Sequence, residues 1–293
     1  MAITVETASP VVCRLGEGPV WDQAESVIRW VDILEGHVHR WNPESQVHHR
    51  LDIGEAVGAI ALRRNGRLIA ALQSGIAFVD DSTGVIQRLH TPEAHLPGNR
   101  FNDGKCDPSG RFWAGTMPFS ADTPTGSLYL ASGDGSIRRM LEDVTISNGM
   151  AWNRRKSRMY YIDTPTCEVS VFDYDDASGS IRNRRKAVDI PREEGFPDGM
   201  TLDAEDMLWV AHWGGSRLTR WDPDNNRKIG EIPLPVSNVT SCAFGGRDFR
   251  DLYITTAREG LSESELASQP LAGMLFVVSG SPWQGLPAAR FNG

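Results

Sequence analysis

The chain has 293 residues, of which 40% are hydrophobic and 23% are charged, a composition typical of a soluble globular protein. Its formal net charge of −8 argues against nucleic acids and anionic membranes as partners, because both attract basic surfaces. Apolar runs stay short of the roughly 20 residues that a membrane helix needs. The first residues, Met1–Glu6, lack the basic and apolar regions of a signal peptide, so we expect a cytoplasmic protein.

A short apolar strand recurs along the chain at intervals of 40 to 49 residues. Its six copies begin at Ile28, Leu68, Phe112, Met159, Leu208 and Leu252. Each copy is followed by another strand and then, in most units, by a turn rich in Asp, Asn, Gly or Pro. A period of about 40–50 residues built only from strands is the signature of propeller blades. The sequence therefore predicts an all-β protein, a six-bladed β-propeller with four antiparallel strands per blade.

No linker or low-complexity segment divides the chain, so residues 1–293 are expected to form a single domain. Ile3–Val5 and Ala288–Phe291 both suit an outer strand beside the segment that begins at Met274. We therefore expect the ring to close by strand exchange between the two termini. A pair of β-sandwiches is the structural alternative, but it does not explain six similar units.

About ten residues before each apolar strand lies a segment expected to form the innermost strand of its blade. Four of these segments begin with a polar residue and a glycine: Glu17-Gly18, Asp103-Gly104 preceded by Asn102, Asn148-Gly149 and Asp198-Gly199. Innermost strands surround the central channel, so Glu17, Asn148, Asp198 and one of Asn102 and Asp103 should meet near the axis. Taken singly, such Asx-Gly pairs are common turns. Converging carboxylates repel unless a proton or a cation lies between them, and oxygen donors suit a hard divalent cation.

The ends of the recurring apolar strands should surround the same mouth, because antiparallel neighbours run in opposite directions. These ends are Asp32, Gln73, Met117, Asp163, His212 and Thr256. A mixed polar and apolar rim of this kind suits a small polyhydroxy ligand. Among these residues, His212 is the leading candidate for a contact with the ligand.

Several segments, in order along the chain, carry a family resemblance. They are Leu15–Trp21, Asn99–Lys105 with Ala114–Met117, Ile146–Met150, Phe196–Met200, and Phe244–Gly246 with Leu252-Tyr253. In these segments the chain resembles the gluconolactonase/regucalcin family, also called the senescence marker protein group, of six-bladed propeller lactonases. The resemblance covers essentially the whole chain.

The resemblance implies one divalent cation (Ca, Zn, Mn, Mg or Fe(II)) held by Glu17, Asn148 and Asp198. It also implies that Asp198 is the general base and that Arg100 and Asn102 bind the substrate. The implied activity is that of a carboxylic ester hydrolase, which opens sugar (aldono) lactones to aldonic acids while the cation polarises the lactone carbonyl. A small sugar lactone is thus the expected partner, and a monomer or weak homo-oligomer the expected state.

Two other functions fit the same architecture. One is an organophosphate or phosphotriester hydrolase, and the other is a non-catalytic calcium-binding propeller, since regucalcin itself is also described as a calcium-binding protein. One departure from the family concerns the substrate. Relatives such as regucalcin carry a substrate-contacting glutamate just after Gly-Thr-Met, whereas here Ser120 occupies that position and Asp122 can replace it only if the loop shifts.

Overall fold

The computed structural model describes residues 3–293, and 24 β-strands lie within them. The first strands in chain order are β1 (Glu6–Val12), β2 (Gly16–Asp22), β3 (Val27–Asp32), β4 (His37–Asn42), β5 (Val47–Asp52), β6 (Val57–Leu62), β7 (Leu68–Leu72), β8 (Gly75–Asp80), β9 (Val85–His90), β10 (Asn99–Cys106), β11 (Phe112–Pro118), β12 (Gly126–Ala131) and β13 (Ile137–Val144). The remaining strands are β14 (Ser147–Trp152), β15 (Arg158–Asp163), β16 (Glu168–Asp175), β17 (Ser180–Asp189), β18 (Phe196–Leu202), β19 (Leu208–Trp213), β20 (Arg217–Asp222), β21 (Arg227–Pro233), β22 (Val239–Gly245), β23 (Asp251–Thr256) and β24 (Met274–Val278).

Within residues 3–293 the helices are few and short. One α-helix, α1 (Glu263–Ser268), begins with a capping box in which Ser262 and Glu265 bond each other's backbone N–H. Two 3-10 turns span Thr164–Thr166 and Arg192–Glu194. None of the helices found in residues 3–293 has the length and apolar character that a membrane crossing demands.

The strands form six four-stranded antiparallel sheets, which are the six blades. Five blades are continuous stretches of chain with the strand orders β2-β3-β4-β5, β6-β7-β8-β9, β10-β11-β12-β13, β14-β15-β16-β17 and β18-β19-β20-β21. The sixth has the order β1-β24-β23-β22, so its outermost strand comes from the amino-terminal part of the chain. The predicted six-bladed β-propeller is confirmed.

The expected strands at the two ends of the chain are wrong in detail. The outer strand of the sixth blade is β1, with Glu6 opposite Val277, and Ile3–Val5 lies outside any strand. Ala288–Phe291 does not join this blade, because β1 already occupies the free edge of β24. Phe291 instead forms an isolated bridge with Arg63 and is buried against the ring of Phe78.

The second strand of each blade is apolar because neighbouring blades cover both of its faces. In β3, β7, β11, β19 and β23 no residue is exposed, and the largest side chains in them are Trp30, Trp113 and Trp209. Two of these indoles are anchored in the same way: Trp113 and Trp209 donate their Nε1–H to the buried carboxylates of Asp107 and Asp203, each 3.0 Å away. The outer strand β5 contains only exposed and half-buried residues, as expected for a water-facing edge.

Gly149 shows how closely the innermost strands approach one another. A Cβ added there would lie 2.5 Å from the Cβ of Met200 and 2.8 Å from the carbonyl oxygen of Asp198. Gly149→Ala must therefore push β14 away from β18, and we expect it to lower the free energy of unfolding by about 1–3 kcal/mol. Urea denaturation measures the change. Gly98→Ala is the matched control, because a Cβ there meets nothing within 4 Å, and equal stability of the two variants would contradict the close approach.

Candidate functional site

Every innermost strand is interrupted by a β-bulge at the same depth in the channel. The pairing register shifts between Glu17 and Val20, Val57 and Ala59, Phe101 and Gly104, Ser147 and Met150, Pro197 and Met200, and Val239 and Ser241. A bulge leaves a residue unpaired and redirects its side chain. Three of the six bulges contain polar residues singled out in the sequence, namely Asn102 with Asp103, Asn148 and Asp198, and Glu17 is the last paired residue before a fourth. The bulges thus bring the polar residues of four blades to one level.

Three of these residues form a buried acidic cluster. Glu17 is 5% exposed, and Asp103 and Asp198 are each 6% exposed. Burial, reinforced by the charges of Asp198 and Asp103, raises the pKa of Glu17 well above its usual range. Burial and the charge of Asp103 raise the pKa of Asp198 to about 8, although a hydrogen bond from Asn148 opposes the shift. The three carboxyl groups therefore cannot all ionise without a compensating positive charge.

The amide of Asn148 is held in one orientation beside this cluster. Its Nδ2 donates to Thr164 Oγ1 at 3.0 Å, and Thr164 Oγ1 in turn donates to the carbonyl oxygen of Pro197 at 2.8 Å. Within residues 3–293, the buried Oδ1 of Asn148 has no hydrogen-bond partner. A buried carbonyl oxygen without a partner requires an explanation, and a bound cation supplies one.

The donor set fits a hard divalent cation. Within residues 3–293, no three side chains of the types His, Cys, Asp and Glu come together as a group that could hold a metal ion. The candidate ligands are instead the carboxylates of Glu17 and Asp198 and the free amide oxygen of Asn148. Oxygen donors of this kind, with water in the remaining positions, are typical of Ca²⁺ and Mg²⁺ sites. A cation here would also add to the positive charge that Arg100 and Lys105 place beside the acidic cluster.

Arg100 and Asn102 form a connected pair next to the acidic cluster. Arg100 Nη1 donates to Asn102 Oδ1 at 2.7 Å, and Asn102 Nδ2 donates to the carbonyl oxygen of Ser147 at 2.8 Å. Burial lowers the pKa of Arg100 to about 10, an effect opposed by the charges of Glu17 and Asp198. The buried Nε of Arg100 has no acceptor within residues 3–293. The pair therefore offers donors that an oxygen-rich ligand can take up.

The mouth of the channel on this side carries an aromatic side chain that sequence reasoning did not single out. Phe119 follows β11, is 46% exposed, and its ring centre lies 5.7 Å from the guanidinium carbon of Arg100. In the same loop, Ser120 Oγ donates to Asp122 Oδ1 at 2.5 Å. The two candidates for the family's glutamate thus form one exposed hydrogen-bonded pair. The sequence carried no signal for this residue, because the exposure of Phe119 and its position beside Arg100 arise only in the folded chain.

The predicted rim residue His212 does not reach the mouth. It is 0% exposed, and its Nε2 lies 2.6 Å from Thr219 Oγ1 in the interior of the fifth blade. Burial lowers its pKa to about 4. Strand alternation turns this side chain into the blade, so the expected ligand contact is wrong. Asp32 is likewise engaged in the fold, since its carboxylate accepts the backbone N–H groups of Arg14 and Leu15.

The family comparisons agree with the motifs. Residues 15–258 match the family described as SMP-30/Gluconolactonase/LRE-like region. The chain is 37% identical over 297 residues to regucalcin of Oryctolagus cuniculus, covering 100% of this chain and 99% of that protein. It is 40% identical over 262 residues to the YvrE protein of Bacillus subtilis (strain 168), whose name ascribes a sugar lactone lactonase activity to it, covering 89% of this chain and 90% of that protein.

A solved structure agrees as well. The fold matches a calcium-binding protein, regucalcin, from Agrobacterium tumefaciens str. C58 with a TM-score of 0.94 and 28% sequence identity, covering 99% of this chain and 97% of that chain. The family match spans most of the chain, and it includes all four blades that carry the polar cluster. The chain therefore belongs to the SMP-30/gluconolactonase/LRE-like family of six-bladed propellers.

Proposed function

We propose that the protein is a metal-dependent sugar lactonase that opens aldono-lactones to aldonic acids. The observation that carries this proposal is the buried cluster of Glu17, Asp198 and the unpartnered Asn148 Oδ1, with Arg100 and Asn102 beside it. The family includes relatives named as lactonases and as calcium-binding proteins. A metal-dependent lactonase would use both the cation ligands and the Arg100–Asn102 pair. A purely calcium-binding site would leave the Arg100–Asn102 pair without a role.

Glu17, Asn148 and Asp198 would hold the divalent cation. When bound, the cation supplies a Lewis acid that polarises the lactone carbonyl. The chain itself contributes oriented donors: the Nδ2 of Asn148 is tied to Thr164, and its buried Oδ1 has no hydrogen-bond partner within residues 3–293. Glu17 is further fixed because its Oε2 accepts the backbone N–H of Gly18 at 2.8 Å. Hydrogen bonds of this kind orient the metal-binding side chains before a metal binds.

Asp198 is the general base of the proposed reaction. It takes a proton from a water molecule whose oxygen forms a bond to the lactone carbonyl carbon. The bond between that carbon and the ring oxygen then breaks, and the proton held by Asp198 is delivered to the leaving ring oxygen. The products are a carboxylic acid and a hydroxyl group on one open chain. Burial raises the pKa of Asp198 in the chain without a cation, and a bound cation would lower this pKa toward the range in which the carboxylate is ionised and can accept a proton.

Arg100 and Asn102 are the proposed substrate-binding residues. The Arg100 guanidinium can donate to ring hydroxyls and to the carboxylate of the product, and Asn102 can hydrogen-bond a hydroxyl or the carbonyl oxygen. The exposed ring of Phe119 lies on the open side of Arg100. It would cover the apolar C–H face of a bound sugar ring.

Arg100→Ala is expected to raise KM for the sugar lactone by about tenfold to a hundredfold while kcat changes less, because a charge-assisted contact to substrate is lost. Steady-state kinetics over a range of lactone concentrations measures the two constants separately. Arg139→Ala is the matched control, since Arg139 is exposed on the outer strand β13 and pairs with Glu142. An unchanged KM in Arg100→Ala would contradict the binding role.

A further inference from the structure

The central channel contains a chamber on the side of the acidic cluster that is away from Arg100. It is a cavity of about 360 Å³, and residues of all six innermost strands line it. One lining residue from each strand illustrates this: Trp21, Ile60, Lys105, Trp152, Leu202 and Phe244. Each of these residues follows the bulge of its strand, whereas Arg100 precedes the bulge of β10. The chamber therefore lies on the opposite side of the cluster from the proposed substrate mouth, and we call it the distal chamber.

The charges around the distal chamber are mostly positive. Its charged lining residues are Asp103, Lys105, Arg154 and Lys156. Asp103 belongs to the acidic cluster and is close enough to Lys105 for each charge to shift the pKa of the other. Arg154 and Lys156 lie in the exposed turn between β14 and β15, at the far end of the chamber. Lys156 is paired with Asp176, 3.4 Å away, so Lys105 and Arg154 are the cations that outnumber the one lining carboxylate, and the excess attracts anions.

Lys105 has unused donors that face this space. Its Nζ donates to the carbonyl oxygen of Met200 at 2.7 Å, which is its one hydrogen bond to residues 3–293. A lysine ammonium carries three donors, so two remain. The side chain is surrounded by protein yet is only half-buried, because part of it is exposed to the chamber that it lines. The inner end of the distal chamber thus presents a fixed cation with free donors.

The rest of the wall is largely apolar. Trp21, Trp152, Leu202 and Phe244 contribute large hydrophobic side chains, and residues 286–289 complete the lining with Leu-Pro-Ala-Ala. A few polar groups on an otherwise apolar concave surface are typical of small-molecule sites. Contact between water and these apolar walls is unfavourable, so a ligand with an apolar body is favoured there over water.

We propose that the distal chamber binds a small organic anion, a carboxylate on a compact apolar body. Lys105 binds the carboxylate, the aromatic walls contact the apolar body, and Arg154 attracts the anion to the far end of the channel. Binding there requires neither a metal nor turnover. An experiment can therefore contradict the anion site without contradicting the proposed lactonase activity, and the reverse also holds.

Benzoate is a suitable probe, and benzamide is its neutral counterpart of the same shape. Calorimetry on the metal-loaded protein should show saturable binding of one benzoate per chain, about tenfold or more tighter than benzamide, because a charge-assisted hydrogen bond is lost in the amide. Tryptophan fluorescence should change in parallel, since Trp21 and Trp152 line the chamber. No saturable benzoate binding, or equal binding of benzamide, would overturn the proposal.

Variants assign the site. Ala243→Phe fills the chamber from β22 and should abolish benzoate binding, and Lys105→Met should remove the preference for benzoate over benzamide. If Lys105→Met fails to fold, Arg154→Ala still tests the charge, with a smaller expected loss. Arg100→Ala is the control for binding at the opposite mouth. Benzoate binding that survives Ala243→Phe but is lost in Arg100→Ala would place the anion at the substrate mouth and contradict a distal site.

Discussion

Asp198→Asn is expected to lower kcat for lactone hydrolysis by about a hundredfold to ten-thousandfold, the range that a general base contributes. The amide has nearly the same shape as the carboxylate, but it cannot take a proton and is a weaker ligand for a divalent cation. Asp198 is buried, and its pKa is raised to about 8 by burial and the nearby Asp103, so its environment differs greatly from that of a surface aspartate. Metal affinity should fall together with kcat.

Three measurements on Asp198→Asn separate chemistry from folding. Proton release with a sugar lactone gives kcat, elemental analysis after dialysis gives the metal content, and circular dichroism reports the fold. Asp189→Asn is the matched control, because Asp189 is an exposed aspartate at the end of the outer strand β17. Asp198→Asn protein with the kcat of the native chain would show that another group is the base.

Removal of the divalent cation is expected to abolish turnover and to lower the unfolding temperature. Glu17, Asp103 and Asp198 are buried together, and without a cation their charges repel. A ligand present at 100 times its Kd stabilises a folded protein by about 2.7 kcal/mol, and we expect a shift of that order. Thermal unfolding with chelator, and then with each of several divalent salts, measures it.

The Glu17→Gln variant distinguishes cation binding at this cluster from a general effect of salt on the unfolding temperature. Removing one carboxylate relieves repulsion in the metal-free protein, so the variant should unfold at a higher temperature than the native chain when chelator is present. It should also gain less stability from added cation, because one ligand is weakened. Glu263→Gln in the exposed helix α1 is the control. Equal metal-induced stabilisation of native and Glu17→Gln protein would contradict the ligand assignment.

The fold was predictable because each blade repeats the same physical requirement. A strand covered on both faces must be apolar, and six such strands at a regular spacing are readable in the sequence, from Ile28 to Leu252. The polar cluster was readable for a related reason: Glu17, Asn148 and Asp198 each precede a glycine at the start of an innermost strand. The observed bulges explain why those positions, and not their neighbours, meet in the channel.

Other features depend on details that the sequence pattern does not specify. His212 is the fifth residue of the six-residue strand β19, and it is buried in its blade, as Asp32 is at the end of β3. The outer strand of the sixth blade depends on which segment fits the free edge of β24, and composition does not distinguish Ile3–Val5 from β1. The distal chamber is formed by residues from six distant parts of the chain. The position of Lys105 in its wall therefore could not be predicted from the sequence around Lys105.

The most direct test of the proposed function is a proton-release assay with purified protein on a panel of five- and six-carbon sugar lactones and one organophosphate. Each substrate is tested with several divalent metals, with chelator, and with the Asp198→Asn variant. We predict hydrolysis of at least one sugar lactone that requires a divalent metal and is lost with chelator and in Asp198→Asn. Tight metal binding without turnover of any lactone would contradict the lactonase and favour a calcium-binding propeller, while turnover of the organophosphate alone would identify a phosphotriester hydrolase.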